Sequence, residues 1–152
     1  MELDTKDFAL LEALQQDASQ RLEDLAKLVS LAPSSVHDRL RRLQRSGILQ
    51  QWTVKVDAAR LGLGVQAFIG LTTSTTCTAM LEQFAALPSI EECHSIAGEK
   101  CVMLKVRVPD TESLLALIER LREIDGVIRT DTTIVLATHI DRAVSLQCLP
   151  KK

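Results

Sequence analysis

Arg39, Arg41, Arg42 and Arg45 fall within seven consecutive positions of the stretch "PSSVHDRLRRLQRSGIL". Guanidinium groups are permanently charged, and their forked N–H donors match phosphate oxygens and the edge of guanine. Yet the chain is acidic, with 18 Lys and Arg against 20 Asp and Glu among its 152 residues and a formal net charge of −2. Residues 33–45 hold four arginines less Asp38, +3, whereas residues 1–57 hold eight basic and nine acidic groups. Positive charge is therefore focused on one short segment, as a local contact with an anionic partner requires. Cys93, His94 and Cys101 form a second set with chemical potential, as soft metal ligands or oxidisable thiols. Their spacing is no standard zinc pattern, and Cys93 and His94, adjacent on a strand, point to opposite faces. As nucleophile and base, Cys101 and His94 lack a third, orienting group. "GLG" at Gly62–Gly64 reads as linker, and no Gly-rich phosphate loop is present. The sequence predicts no catalytic residue, no metal site and no cofactor, so the expectation is a binding protein and not an enzyme.

The elements that position the arginines are short helices. Asp4 suits the N-cap of a helix running to about Gln16, with Phe8, Leu11 and Leu14 as its apolar stripe. "RLEDLAKLV" places Leu22, Leu25, Ala26 and Val29 at i, i+3, i+4 and i+7, an amphipathic second helix. After "SLA", Pro33 fits the first position of a third helix, with Val36, Leu40 and Leu43 inward and Gly47 ending it. At about 100° per residue the opposite face carries Ser34, Asp38, Arg41 and Arg45, flanked by Ser35, His37 and Arg42. Arg39 lies near the edge of the buried stripe. Two short helices with a tight turn, the second basic, form the helix-turn-helix pattern that sets a helix into a DNA major groove. Alternating Trp52, Val54 and Val56 in "ILQQWTVKVD" predict a strand that closes a winged helix.

From about Gln66 the period changes. "AFIGLTTS" reads as a strand and "TAMLEQFAALP" as a helix through Leu81, Phe84 and Leu87. "SIEECHSIAG" and "CVMLKVRVP" read as strands across a Gly98 turn, "TESLLALIERLREIDG" as a helix and "VIRTDTTIVLATHI" as a long last strand. Leu81, Phe84, Leu87 and Ile90 recur at a constant offset of 37 as Ile118, Leu121, Ile124 and Val127. This βαββαβ order predicts a ferredoxin-like sandwich whose two helices cover one sheet face. The other face, with Met103, Lys105 and Arg107, is left for a partner, most simply a second copy. The fold class expected is thus α+β: helix-turn-helix domain over 1–57, linker 58–66, ferredoxin-like domain 67–141 and C-terminal tail 142–152. The first residues, "MELDTKDFALLEAL", do not read as a signal peptide, and no apolar stretch approaches a membrane span. Four cysteines without a CxxC pair suggest reduced thiols and a cytoplasmic location.

Taken in order, these pieces resemble the Lrp/AsnC family, the leucine-responsive or feast/famine transcription regulators. The resemblance spans roughly Leu3 to Ile140. It rests on Leu3-Asp4, Asp7, Leu10-Leu11 and Leu14, on "LAKLVSLAPSSVHDRLRRLQRSGIL", on "IEECHSIAG" and on "GVIRTDTTIVL". It implies a regulator that binds double-stranded DNA, with Ser34, Ser35, His37, Asp38, Arg41, Arg42 and Arg45 as contact residues. It further implies homodimers that assemble to octamers, and a small effector, usually an amino acid, held in the C-terminal domain near a contact between dimers. Gly98, Glu99, Lys100, Cys101, Thr130 and Thr132 stand at the positions of the family's effector-binding stretch.

Three positions depart from the family pattern. Ser30 stands where the turn usually has glycine, a cost of about 1 kcal/mol if that position needs positive φ. Ala32 stands where a serine usually caps the recognition helix, a cap worth ~1 kcal/mol, unless Ser34 or Ser35 shifts the helix start. Cys101 replaces an aspartate suited to an effector's ammonium group, and Lys100 adds a cation beside it. Glu99 is then the carboxylate left to replace it, while Thr130 and Thr132 keep hydroxyls suited to a carboxylate. The alternatives are a metal- or thiol-responsive regulator using Cys93 and Cys101, or one that works without an effector.

Overall fold

A computed structural model describes residues 2–148, without the side chain of Gln147. The chain divides into two compact units, one of Met1–Lys55 with Ile140–Lys152 and one of Val56–His139. Residues 149–152, part of the tail expected over 142–152, lie outside the described residues.

In the first unit α1 spans Thr5–Gln16, α2 Leu22–Val29 and α3 Pro33–Arg45. Asp4 caps α1 reciprocally. Its carboxylate accepts from the Asp7 N–H at 2.8 Å while the Asp7 carboxylate accepts from the Asp4 N–H at 3.1 Å. The buried stripe of α1 is Leu10, Leu11 and Leu14, whereas Phe8, expected inward, is only half-buried. Leu25, Ala26 and Val29 of α2 and Val36, Leu40 and Leu43 of α3 complete this core. The 140–148 segment is bound to the same unit. Leu146 packs on its core, Gln15 Nε2 donates to the Val144 carbonyl at 3.1 Å, and Lys55 pairs with Asp141 at 2.6 Å.

The turn between α2 and α3 closes on Ser30 in the left-handed region, φ 51° and ψ 56°. The helix start is not shifted to a serine: α3 begins at Pro33 behind Ala32, with no side-chain cap. The expected wing strand is absent. Residues 50–57 pair with nothing in a ladder among the described residues, and Val54 is 81% exposed. Alternation alone makes no strand, because its N–H and C=O groups need a neighbouring edge and this unit offers only helices.

In the second unit β1 (Val65–Thr73), α4 (Cys77–Ala85), β2 (Ile90–Ser95), β3 (Val102–Val108), α5 (Thr111–Arg122) and β4 (Val127–Ile134) follow the βαββαβ order. The sheet runs β2-β3-β1-β4 with every neighbouring pair antiparallel. β4 is shorter than expected, ending at Ile134. Ala67, Ile69 and Leu71 of β1 and Val102, Leu104, Val106 and Val108 of β3 are buried beneath both helices. The inward stripe is Met80 and Phe84 of α4 with Leu87 just beyond its end, not Leu81, which is 44% exposed. Spacings of four and three from Met80 keep one face inward, and Leu81 falls about 100° away from it. Phe84 and Leu121, 2% and 0% exposed, each contribute about 2–3 kcal/mol of burial.

Ser30 gives a clean test of the turn. Ser30→Gly is expected to raise stability in urea unfolding by about 0.5–1 kcal/mol, and the β-branched Ser30→Val to lower it by about 1–2 kcal/mol. Equal stability of the three chains would mean that the left-handed conformation is not what closes this turn.

Candidate functional site

The exposed side of α3 carries Ser34, Ser35, His37, Asp38, Arg41, Arg42 and Arg45. Its four arginines divide into two pairs with different tasks. Arg39 donates to Asp4 Oδ2 at 2.6 Å and to Asp7 Oδ1 at 2.9 Å, and Arg42 donates to Asp7 Oδ2 at 2.6 Å. Asp7 is fully buried, so its charge must be met inside the fold, and these two guanidinium groups meet it from one helix over. The Asp4 carboxyl is held below its ordinary value, first by the Asp7 N–H and then by Arg39. Its stabilisation is therefore present above that value and lost as acid protonates it. Arg39 is correspondingly held more tightly charged, by Asp4 and then by Asp7.

Arg41 and Arg45 behave differently. They are exposed, and no side-chain hydrogen bond or ion pair joins either guanidinium to another of the described residues. One helical turn apart, two like charges repel by about 0.2–0.5 kcal/mol, so nothing in this helix favours placing them there. A polyanion bound across both relieves that repulsion. His37 and Asp38 sit beside them, with the imidazole Nδ1 3.9 Å from Asp38 Oδ1. The surface offers small hydroxyls at the N-terminal end of α3 and two unspent guanidinium forks further along.

The second set, in the sheet unit, is not gathered into one pocket. Gly98 adopts φ 146° in the β2–β3 turn. Glu99 is strongly exposed, 3.9 Å from Arg129. Lys100 crosses the open sheet face over Gly70, where an added Cβ would lie 2.3 Å from the lysine Cδ, and its Nζ reaches Asp131 at 2.6 Å. That ammonium holds the Asp131 carboxyl below its ordinary range. Thr130 and Thr132 stand opposite Leu71 and Ile69, on the helix-covered face, and Thr130 Oγ1 accepts from Arg122 Nε at 3.0 Å. Lys100 and the two threonines thus lie on opposite sides of one sheet. Asp131, between those threonines, is the carboxylate beside Lys100, a residue absent from the sequence-derived candidates although it stands between two of them.

The Cys93–Cys101 pairing expected for a thiol or metal sensor does not form. Cys93 stands opposite Leu104 on the helix side, and its sulfur lies 3.7 Å from that of Cys77; Cys101 is exposed. His94 turns to Glu92 at 3.0 Å. Among the described residues no three His, Cys, Asp or Glu side chains are gathered to hold a metal ion, and no helix is long and apolar enough to cross a membrane.

A helix-turn-helix unit with a partly unspent basic face, joined to a separate antiparallel α+β domain, defines a DNA-binding regulator carrying a ligand-binding module. Residues 3–44 match the AsnC-type helix-turn-helix domain, and residues 66–144 match the Lrp/AsnC ligand binding domain. The chain belongs to the Lrp/AsnC family of transcriptional regulators. It is 34% identical to the transcriptional regulator AzlB of Bacillus subtilis, over 95% of this chain and 94% of that one. Among solved structures it resembles AsnC of E. coli, with TM-score 0.88, 27% identity and coverage of 95% and 99%. It also resembles a feast or famine regulatory protein of M. tuberculosis complexed with L-methionine, with TM-score 0.85, 31% identity and coverage of 92% and 96%.

The buried carboxylate can be tested alone. Asp7→Asn is expected to destabilise the chain by about 1–3 kcal/mol in urea unfolding, through loss of charge-assisted bonds to two arginines. A change within about 0.5 kcal/mol, the ordinary surface range, would show that Asp7 does not anchor α3.

Proposed function

We propose that this regulator docks α3 in the major groove, with Ser34, Ser35, His37 and Asp38 near base edges and Arg41 and Arg45 on phosphates or guanine. The observation that carries this is the division of the arginines: Asp7 and Asp4 occupy Arg39 and Arg42, while Arg41 and Arg45 are left for a partner. Arg42 then serves mainly to hold α3 in register. We infer homodimers joined over the open sheet face, where Phe68 is 38% exposed beside Lys105, and their further assembly to octamers. A dimer presents two copies of α3 to a two-fold DNA site. The protein works in the cytoplasm as a binding protein without catalysis.

The effector we propose is a free amino acid, a reading supported by the L-methionine complex of the M. tuberculosis relative. Glu99, with only a distant cation beside it, is the carboxylate proposed for the ammonium group. Thr130 and Thr132 are the hydroxyls proposed for the carboxylate. Because Lys100 and these threonines occupy opposite sheet faces, a pocket that uses Gly98 to Cys101 together with Thr130 and Thr132 takes them from neighbouring copies.

Two measurements test this reading. For DNA, affinity for a duplex selected from a random pool is followed against salt. Arg41→Ala and Arg45→Ala are each expected to reduce the slope of log K against log salt by about one, while Arg42→Ala lowers stability and leaves the slope nearly unchanged. Wild-type slopes in both the Arg41 and Arg45 variants would remove them from the interface. For the effector, thermal melts are run with each of the proteinogenic amino acids. A ligand at a hundred times its dissociation constant adds about 2.7 kcal/mol and raises the midpoint visibly. No shift with any of them would end the amino-acid reading and leave the DNA reading standing.

A further inference from the structure

Cys77 and Cys93 are sixteen positions apart in sequence but come together within the second unit. Cys77 is the first residue of α4, behind Thr76, and Cys93 lies in β2, facing the helices opposite Leu104. Their sulfurs are 3.7 Å apart, against about 2.05 Å in a disulfide, so the remaining gap is a matter of side-chain rotation and a small shift. Both are partly buried at the rim of the core, packed against it rather than sealed within it. Small reagents can therefore reach them, while larger proteins are disfavoured. The two thiols are also unlike each other. Cys77 opens α4, whereas Cys93 lies within β2. Burial, and then the neighbouring sulfur, push the Cys93 thiol up to about 11.

β2 is the sheet edge, paired with β3 alone. Beyond it the chain runs through Gly98, Glu99, Lys100 and Cys101 before β3 begins. A covalent tie from β2 to α4 would hold this edge strand, and the turn that follows it, against the helix layer.

We propose that Cys77 and Cys93 are a dithiol modification site, oxidised by a small-molecule disulfide to an intramolecular bond that pins β2 to α4. The Cys77 thiolate attacks one sulfur of the reagent, forming a mixed disulfide and expelling one thiol. The Cys93 thiol then loses its proton to solvent and attacks the Cys77 sulfur, expelling the second thiol. The protein loses two protons and two electrons, and the reagent takes them up and leaves as two reduced thiols. This proposal does not rest on the amino-acid reading.

The test treats the full-length chain with oxidised glutathione, followed by mapping of disulfide-linked peptides and by denaturant unfolding. The expected product is a Cys77–Cys93 link within one chain, reversed by dithiothreitol. The folding equilibrium of the oxidised chain should rise by on the order of a hundredfold, as a loop of this length predicts. In Cys77→Ser and Cys93→Ser the link and the rise are both expected to vanish, while a glutathione adduct remains on the surviving thiol of the Cys93→Ser chain. Stable glutathione adducts on both wild-type cysteines would overturn the proposal. So would a link to Cys101 or Cys148 in place of the Cys77–Cys93 bond, or thiols that stay reduced at reagent concentrations that modify exposed Cys101.

Discussion

The buried Asp7 carboxylate is the constraint around which the helical unit is arranged. A charge without access to water must be met by other charges or the fold loses several kcal/mol. Here it is met by Arg39 and Arg42, 32 and 35 positions away in sequence, and by the Asp4 N–H. Apolar packing of Leu10, Leu25 and Val36 would tolerate small rotations of α3, because dispersion and burial have little direction. Two charge-assisted bonds of 2.9 and 2.6 Å do not, because they lose strength quickly with distance and angle. The ion pairs therefore contribute orientation more than stability. They set the roll of α3, and the roll decides which side chains face outward.

In the second unit the corresponding constraint is the alternation of the sheet. Ala67, Ile69 and Leu71 must face the helices, which obliges Gln66, Phe68 and Gly70 to face away. Lys100 lies across Gly70 because no side chain occupies that point, and Asp131, opposite Gly70 on β4, receives its ammonium. Lys105 and Arg107 are tied in the same way to Glu91 and Glu92. The open face is thus a lattice of paired charges around Phe68 and Met103. It suits a partner whose charges are placed in register and penalises one whose charges are not.

Much of this architecture was legible in the chain. Periodicities of 3.6 and 2 marked the three N-terminal helices and the βαββαβ order, because each element buries one face and the burial selects the residues. Asp4 and Pro33 announced helix starts by local chemistry. What was not legible depended on distant partners. Trp52, Val54 and Val56 alternate like a strand, but a strand exists only with an edge beside it. Leu81 and Met80 are equally apolar neighbours, and only the direction of the sheet decides that Met80 turns inward. In the sequence Cys93 and Cys101 read as lying on successive strands, yet the neighbour of Cys93 is Cys77 on a helix. Asp7 is legible only as part of the family's opening pattern; that Arg39 and Arg42 depend on it follows from the approach of α3 to α1.

The arginine cluster that first distinguishes this sequence is consequently weaker as a source of charge than its count suggests. Of four guanidinium groups, two are occupied by carboxylates of the same unit, and Asp38 sets one negative charge against the remaining two. A helix built for indiscriminate attraction to phosphate would carry no Asp38 and would leave all four arginines free. The arrangement instead limits the sequence-independent attraction that every duplex offers. Under the proposed docking, Asp38 adds a group that can accept a hydrogen bond from cytosine and that repels phosphate when the helix sits out of register. Modest free charge and one opposed carboxylate favour discrimination over affinity, and the proposed dimer would recover affinity by engaging two sites at once. An acidic protein with a small, fixed and partly neutralised basic edge is what that division of labour requires.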